Sequence, residues 1–132
     1  MSRIELIERQ LTRSVIGAFY EVYKTLGFGF LEHIYVMALE RELLARGHRV
    51  AREVSIHVTY KAHVLGVQRI DMIVDEKLVV ETKSTLELPT AAQRQVFNYL
   101  RATKLEVGLL LHFVLEPRFY RLFCSNTREV SA

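Results

Sequence analysis

The chain has one cysteine, two prolines and no tryptophan. Each scarcity removes a class of protein. A lone Cys124 cannot close an internal disulfide, so nothing points to a stapled scaffold from an oxidising compartment. The five histidines are scattered and no Cys or His pairs stand at zinc-finger spacing, which argues against a structural zinc site. The longest apolar stretch, residues 107–115, is interrupted by His112 and falls well short of the ~20 residues a membrane helix requires. Arg3, Glu5, Glu8 and Arg9 break up the segment where a signal peptide would need its apolar core. The expectation is a cytoplasmic protein with no membrane partner.

Charge of one sign is scarce too. The net charge is +3. Residues 1–93 carry 12 Lys/Arg against 12 Asp/Glu, while residues 94–132 carry 6 against 3. The whole excess therefore sits in the last third. Arg94, Arg101 and Lys104, with Arg118 and Arg121, can form only a modest phosphate-facing patch, and a solvated surface would look the same.

What is present is an ordinary globular balance, half hydrophobic and a quarter charged over 132 residues. That length suits one domain with its own core. Ser2-x-x-Glu5 can close a capping box, and Ile4, Ile7, Leu11, Val15, Ala18, Phe19, Val22 and Leu26 follow at helical spacing. The spacing predicts a helix over residues 3–25, ended at Gly27-Phe28-Gly29. That glycine pair is no phosphate loop, because no lysine or threonine follows at the required distance. A second helix is predicted over 30–46, stopped by Gly47 in a left-handed turn.

From Val50 the period changes to two, with Val50, Arg52, Val54, Ile56, Val58 and Tyr60 alternating as on one half-buried face. Strands are expected over 50–60, 64–74 (with a bulge at Gly66) and 78–82. A helix then runs from Pro89, in its first turn, to about residue 102. Strands over 107–114 and 119–123 follow, and the tail 125–132 is polar. The order α-α-β-β-β-α-β-β predicts an α/β fold, a mixed sheet covered by helices.

Against this frame the charged groups acquire positions. Asp71 interrupts the apolar run Ile70-Asp71-Met72-Ile73-Val74, where an unpaired buried charge would cost several kcal/mol. Nine residues after Met72, Glu81-Thr82-Lys83 ends the next strand. In a strand Glu81 and Lys83 project together. A turn at residues 75–77 would bring Asp71 to the same end of the hairpin, with both acids leaving the core at a sheet edge. Alone, Glu-x-Lys is most simply a surface ion pair worth ~0–1 kcal/mol. Two acids and an amine together are what Mg²⁺- or Mn²⁺-dependent phosphodiester chemistry needs. In that reading Asp71 and Glu81 ligate the ion, the Thr82 backbone carbonyl is a third ligand, and Lys83 orients the attacking water.

Gln95 and Tyr99 share a face of the later helix, either as a polar flank or reaching the acids. Gly29-x-x-Glu32-x-x-Tyr35 puts an acid in the first turn of the second helix, which the helix dipole favours with or without function. His33 is left out of the site.

Together these residues resemble the PD-(D/E)xK nuclease superfamily, whose core is α-β-β-β-α-β with acids on its second and third strands. More narrowly, Gly29–Tyr35, Arg69-Ile70-Asp71, Val80-Glu81-Thr82-Lys83 and the run from Gln95 to Leu100 resemble the GxxExxY protein family, a branch of that superfamily. The resemblance spans residues 26–123. It implies a restriction-endonuclease-like fold, Asp71 and Glu81 as metal ligands, and Lys83 as the catalytic lysine. It further implies Glu32 as a first-helix acid and Gln95 with Tyr99 as a helix motif. Ile70 stands where the superfamily's name has proline, and the helix over 3–25 lies outside the minimal core. The expected activity is Mg²⁺- or Mn²⁺-dependent hydrolysis of nucleic acid, DNA first, with a homodimer allowing two sites to address two strands. The alternative is a non-catalytic nucleic-acid-binding or assembly module that keeps the nuclease scaffold.

Overall fold

Leu11, Val15, Ala18, Phe19 and Val22 recur every three or four residues, and in a computed structural model describing residues 7–125 they line the inner face of helix α1, Arg9–Leu26. Glu8 precedes it with a left-handed backbone and no side-chain cap. The Ser2–Glu5 capping box lies outside the described residues. Gly27 and Gly29 both take positive φ, 72° and 104°, so the chain can turn sharply into α2, Glu32–Ala45. That helix ends as predicted. Gly47 (φ 89°) donates to the Leu44 carbonyl and His48 to that of Leu43, the paired bonds of a Schellman stop.

Five strands follow in one sheet, ordered β1-β2-β3-β4-β5. They are β1 Val50–Tyr60, β2 His63–Val74, β3 Leu78–Lys83, β4 Val107–His112 and β5 Arg118–Phe123. All pairs are antiparallel except β3–β4, which are parallel and joined through helix α3, Ala92–Thr103. The predicted order therefore holds, and the mixed sheet flanked by helices is the restriction-endonuclease-like architecture. Helices α1 and α2 cover one face over Met72, Val80, Leu109, Leu111 and Phe113, while α3 covers the other over Ile70, Val79 and Leu110. Gly108 lets α3 sit close: a Cβ there would lie 2.7 Å from Val96 Cγ1.

Four local expectations change. Pro89 is not in the first turn of α3; it accepts from Ala92 N–H in a turn that precedes the helix. The register slip in the β1–β2 hairpin falls between Val58 and Thr59, leaving Leu65, beside Gly66, without a partner. Strand β4 stops at His112, two residues early, although Phe113 N–H still bonds the Lys83 carbonyl at 2.8 Å.

The fourth change shapes the site. Strand β1 does not present one face along its length: Val50 packs under α1 and α2, whereas Val54 and Ile56 pack under α3. Between them Glu53 has φ 51°, the left-handed backbone that inverts the alternation. The paired strand inverts at the same level, for Ile70 lies under α3 and Met72 on the opposite face. Asp71 sits at that crossover.

Candidate active site

The two acids are locked to each other's strand. The Glu81 carboxylate accepts Asp71 N–H through Oε1 at 2.7 Å. Asp71 Oδ2 in turn accepts Thr82 N–H at 2.8 Å and the Thr82 hydroxyl at 3.1 Å. The reason is the ladder: regular β2–β3 pairing runs only from Met72–Val80 to Val74–Leu78, so beyond it carboxylates replace carbonyls as acceptors. Asp71 Oδ1 and Glu81 Oε2 accept no hydrogen bond from any described residue.

Glu81 is not at a sheet edge, as the hairpin alone suggested. Strand β3 lies in the middle of the sheet, and parallel pairing with β4 covers it, leaving Glu81 4% exposed. Burial, with the neighbouring Asp71 charge, pushes its carboxyl up to about 8, against the pull of the Asp71 amide and Lys83. Glu32 is pushed up too, chiefly by burial, with Lys83 opposing and Asp71 adding. Glu32, Asp71, Glu81 and Lys83 thus lie within one electrostatic neighbourhood. The Lys83 ammonium has no ion pair within 4 Å among the described residues.

Gly29 and Tyr35 hold the Glu32 end of this arrangement. Tyr35 is fully buried, stacks on Phe113 with centroids 4.2 Å apart, and donates to the Gly27 carbonyl at 2.8 Å. Its oxygen also accepts Phe30 N–H at 3.2 Å. The loop that the glycines turn is thereby clasped to the helix it opens, which fixes where Glu32 starts α2. A cavity of about 250 Å³ joins Glu32, His33, Val36, Arg52, Glu53 and Asp71.

On α3, Tyr99 is buried, and burial followed by the Glu81 and Asp71 charges pushes its phenol up to about 12. Gln95 lies one turn earlier on that helix, half-buried, and its side chain makes no hydrogen bond to the acids. Arg94 stacks over Phe97 at 5.0 Å. Arg101 lines a groove with Asn98, His57 and Gln68, but Lys104 lies by Glu106 and Lys77 and does not join it.

Sequence reasoning missed two residues. Glu53 lines the cavity with Asp71, at the level between the Arg52–Met72 and Val54–Ile70 pairs; its strand looks ordinary until the left-handed backbone is known. His112, first seen only as a break in an apolar run, is buried opposite Lys83 in the sheet and meets the Thr85 carbonyl at 2.7 Å. It ties down the loop after Lys83. A third polar group lies elsewhere: Ser14 Oγ to His48 Nε2, and His48 Nδ1 to Asp75 Oδ2, each at 2.7 Å. Those are triad distances, yet Ser14 lies inside α1 and lines none of the cavities described here. The relay clamps α1 to the β2–β3 turn.

The donor set suits a hard divalent cation. Asp71 and Glu81 each keep an oxygen that no described residue bonds, and a bound cation would favour the ionised form of Glu81 that burial disfavours. Among the described residues no three His, Cys, Asp or Glu converge into a ready-made cage. Mg²⁺ does not require one, since it keeps several waters and takes one or two carboxylates.

The family profile of the PD-(D/E)XK nuclease superfamily matches residues 9–121, most of the chain. The protein belongs to the PD-(D/E)XK nuclease superfamily. That superfamily is one of nucleases. Among solved structures, the crystal structure of SSO0001 is similar, with 20% identity, a TM-score of 0.57, and coverage of 97% of this chain and 64% of that one. At that identity the likeness concerns the fold, and this chain spans under two thirds of that longer protein. No curated protein matches.

Proposed function

We propose that the protein is a Mg²⁺- or Mn²⁺-dependent nuclease of the GxxExxY branch that hydrolyses phosphodiester bonds, with DNA as substrate. The observation that carries this reading is the pair of cross-strand carboxylates, Asp71 and Glu81, each with an oxygen that no described residue bonds and the second buried in the middle of the sheet. Asp71, Glu81 and the Thr82 backbone carbonyl would hold the ion. When bound, it supplies Lewis acidity at the phosphate and lowers the pKa of a coordinated water.

The remaining chemistry belongs to the chain. Lys83, half-buried and without an ion pair among the described residues, places an ammonium beside the acids, where it orients the nucleophile and meets the charge that develops on phosphorus oxygens. Glu32, pushed above the ordinary carboxylate value, holds a proton more readily than a surface glutamate and faces the same cavity as Asp71. Gln95 is assigned to the departing or flanking phosphate and Tyr99 to the wall behind Glu81. Arg94 and Arg101, both exposed on α3, serve the nucleic-acid backbone, with Lys104 a more distant contributor.

Purified protein incubated with single-stranded, duplex and branched DNA and Mn²⁺ tests the proposal. Cleavage is expected, with a loss of about 10²–10³-fold in Lys83→Ala and Asp71→Ala. No cleavage, or cleavage unchanged in both variants, refutes it. The small basic excess, a net +3, favours a second reading, a binding module without catalysis; salt-dependent DNA binding that ignores both Mn²⁺ and Asp71→Ala would establish that instead.

A further inference from the structure

Strand β1 is an edge strand, and its outer half is undefended. Natural edges are blunted by charge, proline or cover. From Val54 to Tyr60 the edge has neither charge nor proline, and no described strand pairs with its outer side. It projects as an arm, because β2 pairs with β3 only over Met72–Val74 while the hairpin continues to Tyr60–His63. Val58, Tyr60, Val64, Leu65 and Val67 on this arm are 41–68% exposed.

We infer that the arm is the interface with a second copy of this chain, β1 against β1 in antiparallel register centred on His57. The inference does not depend on the proposed activity. In that register the uncharged segment faces itself throughout, Val54 opposite Tyr60, Ser55 opposite Thr59 and Ile56 opposite Val58. Apolar residues meet apolar ones on the α3 side of the sheet and polar residues meet polar ones on the other. The flanking charges decide the register, since Glu53 of each copy comes opposite Lys61 of the other. A slip of two residues sets Glu53 against an uncharged residue and shortens the ladder. Glu53 and Lys61 both carry left-handed backbones, φ 51° and 48°, so the regular edge spans the residues between them.

An unfilled cavity supports the same arrangement. Val54, Val50, Ala51, Ile73 and Leu105 line an apolar cavity of about 390 Å³, rimmed by Arg49 and Glu76. The Tyr60 ring of the second copy, 59% exposed in one chain alone, arrives opposite Val54 at its mouth. The contact is isologous, so it closes at two copies and does not propagate. It also sets the Lys61 ammonium of the second copy beside Glu53, which lines the cavity shared by Glu32 and Asp71. Each site thus receives a cation from its neighbour.

Sedimentation velocity of the full chain tests the association, and thiol cross-linking tests the register. A dimer is expected, weakened at least about tenfold by Glu53→Lys or by Lys61→Glu and restored when both are combined. In a Cys124→Ser background, His57→Cys is expected to form a disulfide-linked dimer, whereas Thr59→Cys alone is not and Ser55→Cys with Thr59→Cys is. Substituted side chains at 53 and 61 are exposed, and circular dichroism confirms that each variant is folded. A monomer at every concentration, a dimer indifferent to both charge reversals, or cross-linking at Thr59→Cys equal to that at His57→Cys overturns the inference.

Discussion

Replacing Glu81 by glutamine should make the protein more stable at alkaline pH, although it removes a residue at the centre of the site. Folded, the buried carboxyl keeps its proton to about 8; in the unfolded chain it loses it near the ordinary value of 4.5. Between these limits the native state binds more protons than the unfolded state, so stability falls as pH rises. The stabilisation is complete below the unfolded pKa and gone once pH has passed the folded one. Its size is roughly 5 kcal/mol at most, the free-energy equivalent of the gap. Glutamine is neutral throughout, and its side-chain carbonyl can still accept Asp71 N–H, the 2.7 Å bond made by Glu81. Urea unfolding of both proteins from about pH 5 to about pH 9 should therefore show curves that are close at the acid end and diverge by several kcal/mol at the alkaline end, glutamine above. Titrating groups remote from the site cancel in the difference. Mn²⁺ at a hundredfold excess over its Kd should return about 2.7 kcal/mol to the wild type at alkaline pH and nothing to Glu81→Gln. Parallel curves would refute the burial argument. Equal Mn²⁺ effects would refute the ligand assignment while leaving the burial argument standing.

Other perturbations separate the parts of the fold. Gly108→Ala should lower stability by about 1–3 kcal/mol, because its Cβ would meet Val96 Cγ1 at 2.7 Å; Val96→Ala in the same chain should recover part of the loss. Tyr35→Phe removes the hydroxyl shared by the Gly27 carbonyl and the Phe30 amide, so thermal unfolding should report a cost of about 1–3 kcal/mol, and nuclease activity should drop through the misplaced Glu32. The Asp75 carboxyl is pushed up by burial but held below its ordinary value by the Arg49 amide and His48, so it stabilises the fold above pH 3.8 and stops doing so as pH falls through its depressed pKa. Asp75→Asn should flatten the acid limb of the stability profile, and an unchanged limb would count against the Ser14–His48–Asp75 clamp.

Element order was legible because periodicity is local. Glycines marked both ends of α2, and the switch from a period near four to a period of two at Val50 survived folding. Asp71, Glu81 and Lys83 stood out for a local reason too, since charges in apolar runs need an explanation. What local pattern could not convey is parity. Val50, Arg52, Val54 and Ile56 form an unbroken alternation in the sequence, yet the left-handed Glu53 sends Val50 and Val54 to opposite faces of the sheet. Glu53 was invisible for that reason. The sequence points to an edge for Glu81 because its hairpin partner is foreseeable and its parallel partner β4, reached through α3, is not.

The sequence by itself thus determined which charged groups stand out as site candidates and in what order the elements present them, both consequences of short-range spacing. Only the tertiary structure decided how those groups behave. The covering of β3 by β4 raises the proton affinity of Glu81, and the crossover at Glu53 and Asp71 opens the cavity beside Glu32. Desolvation and charge coupling depend on neighbours far away in the chain, so no window along the sequence contains them.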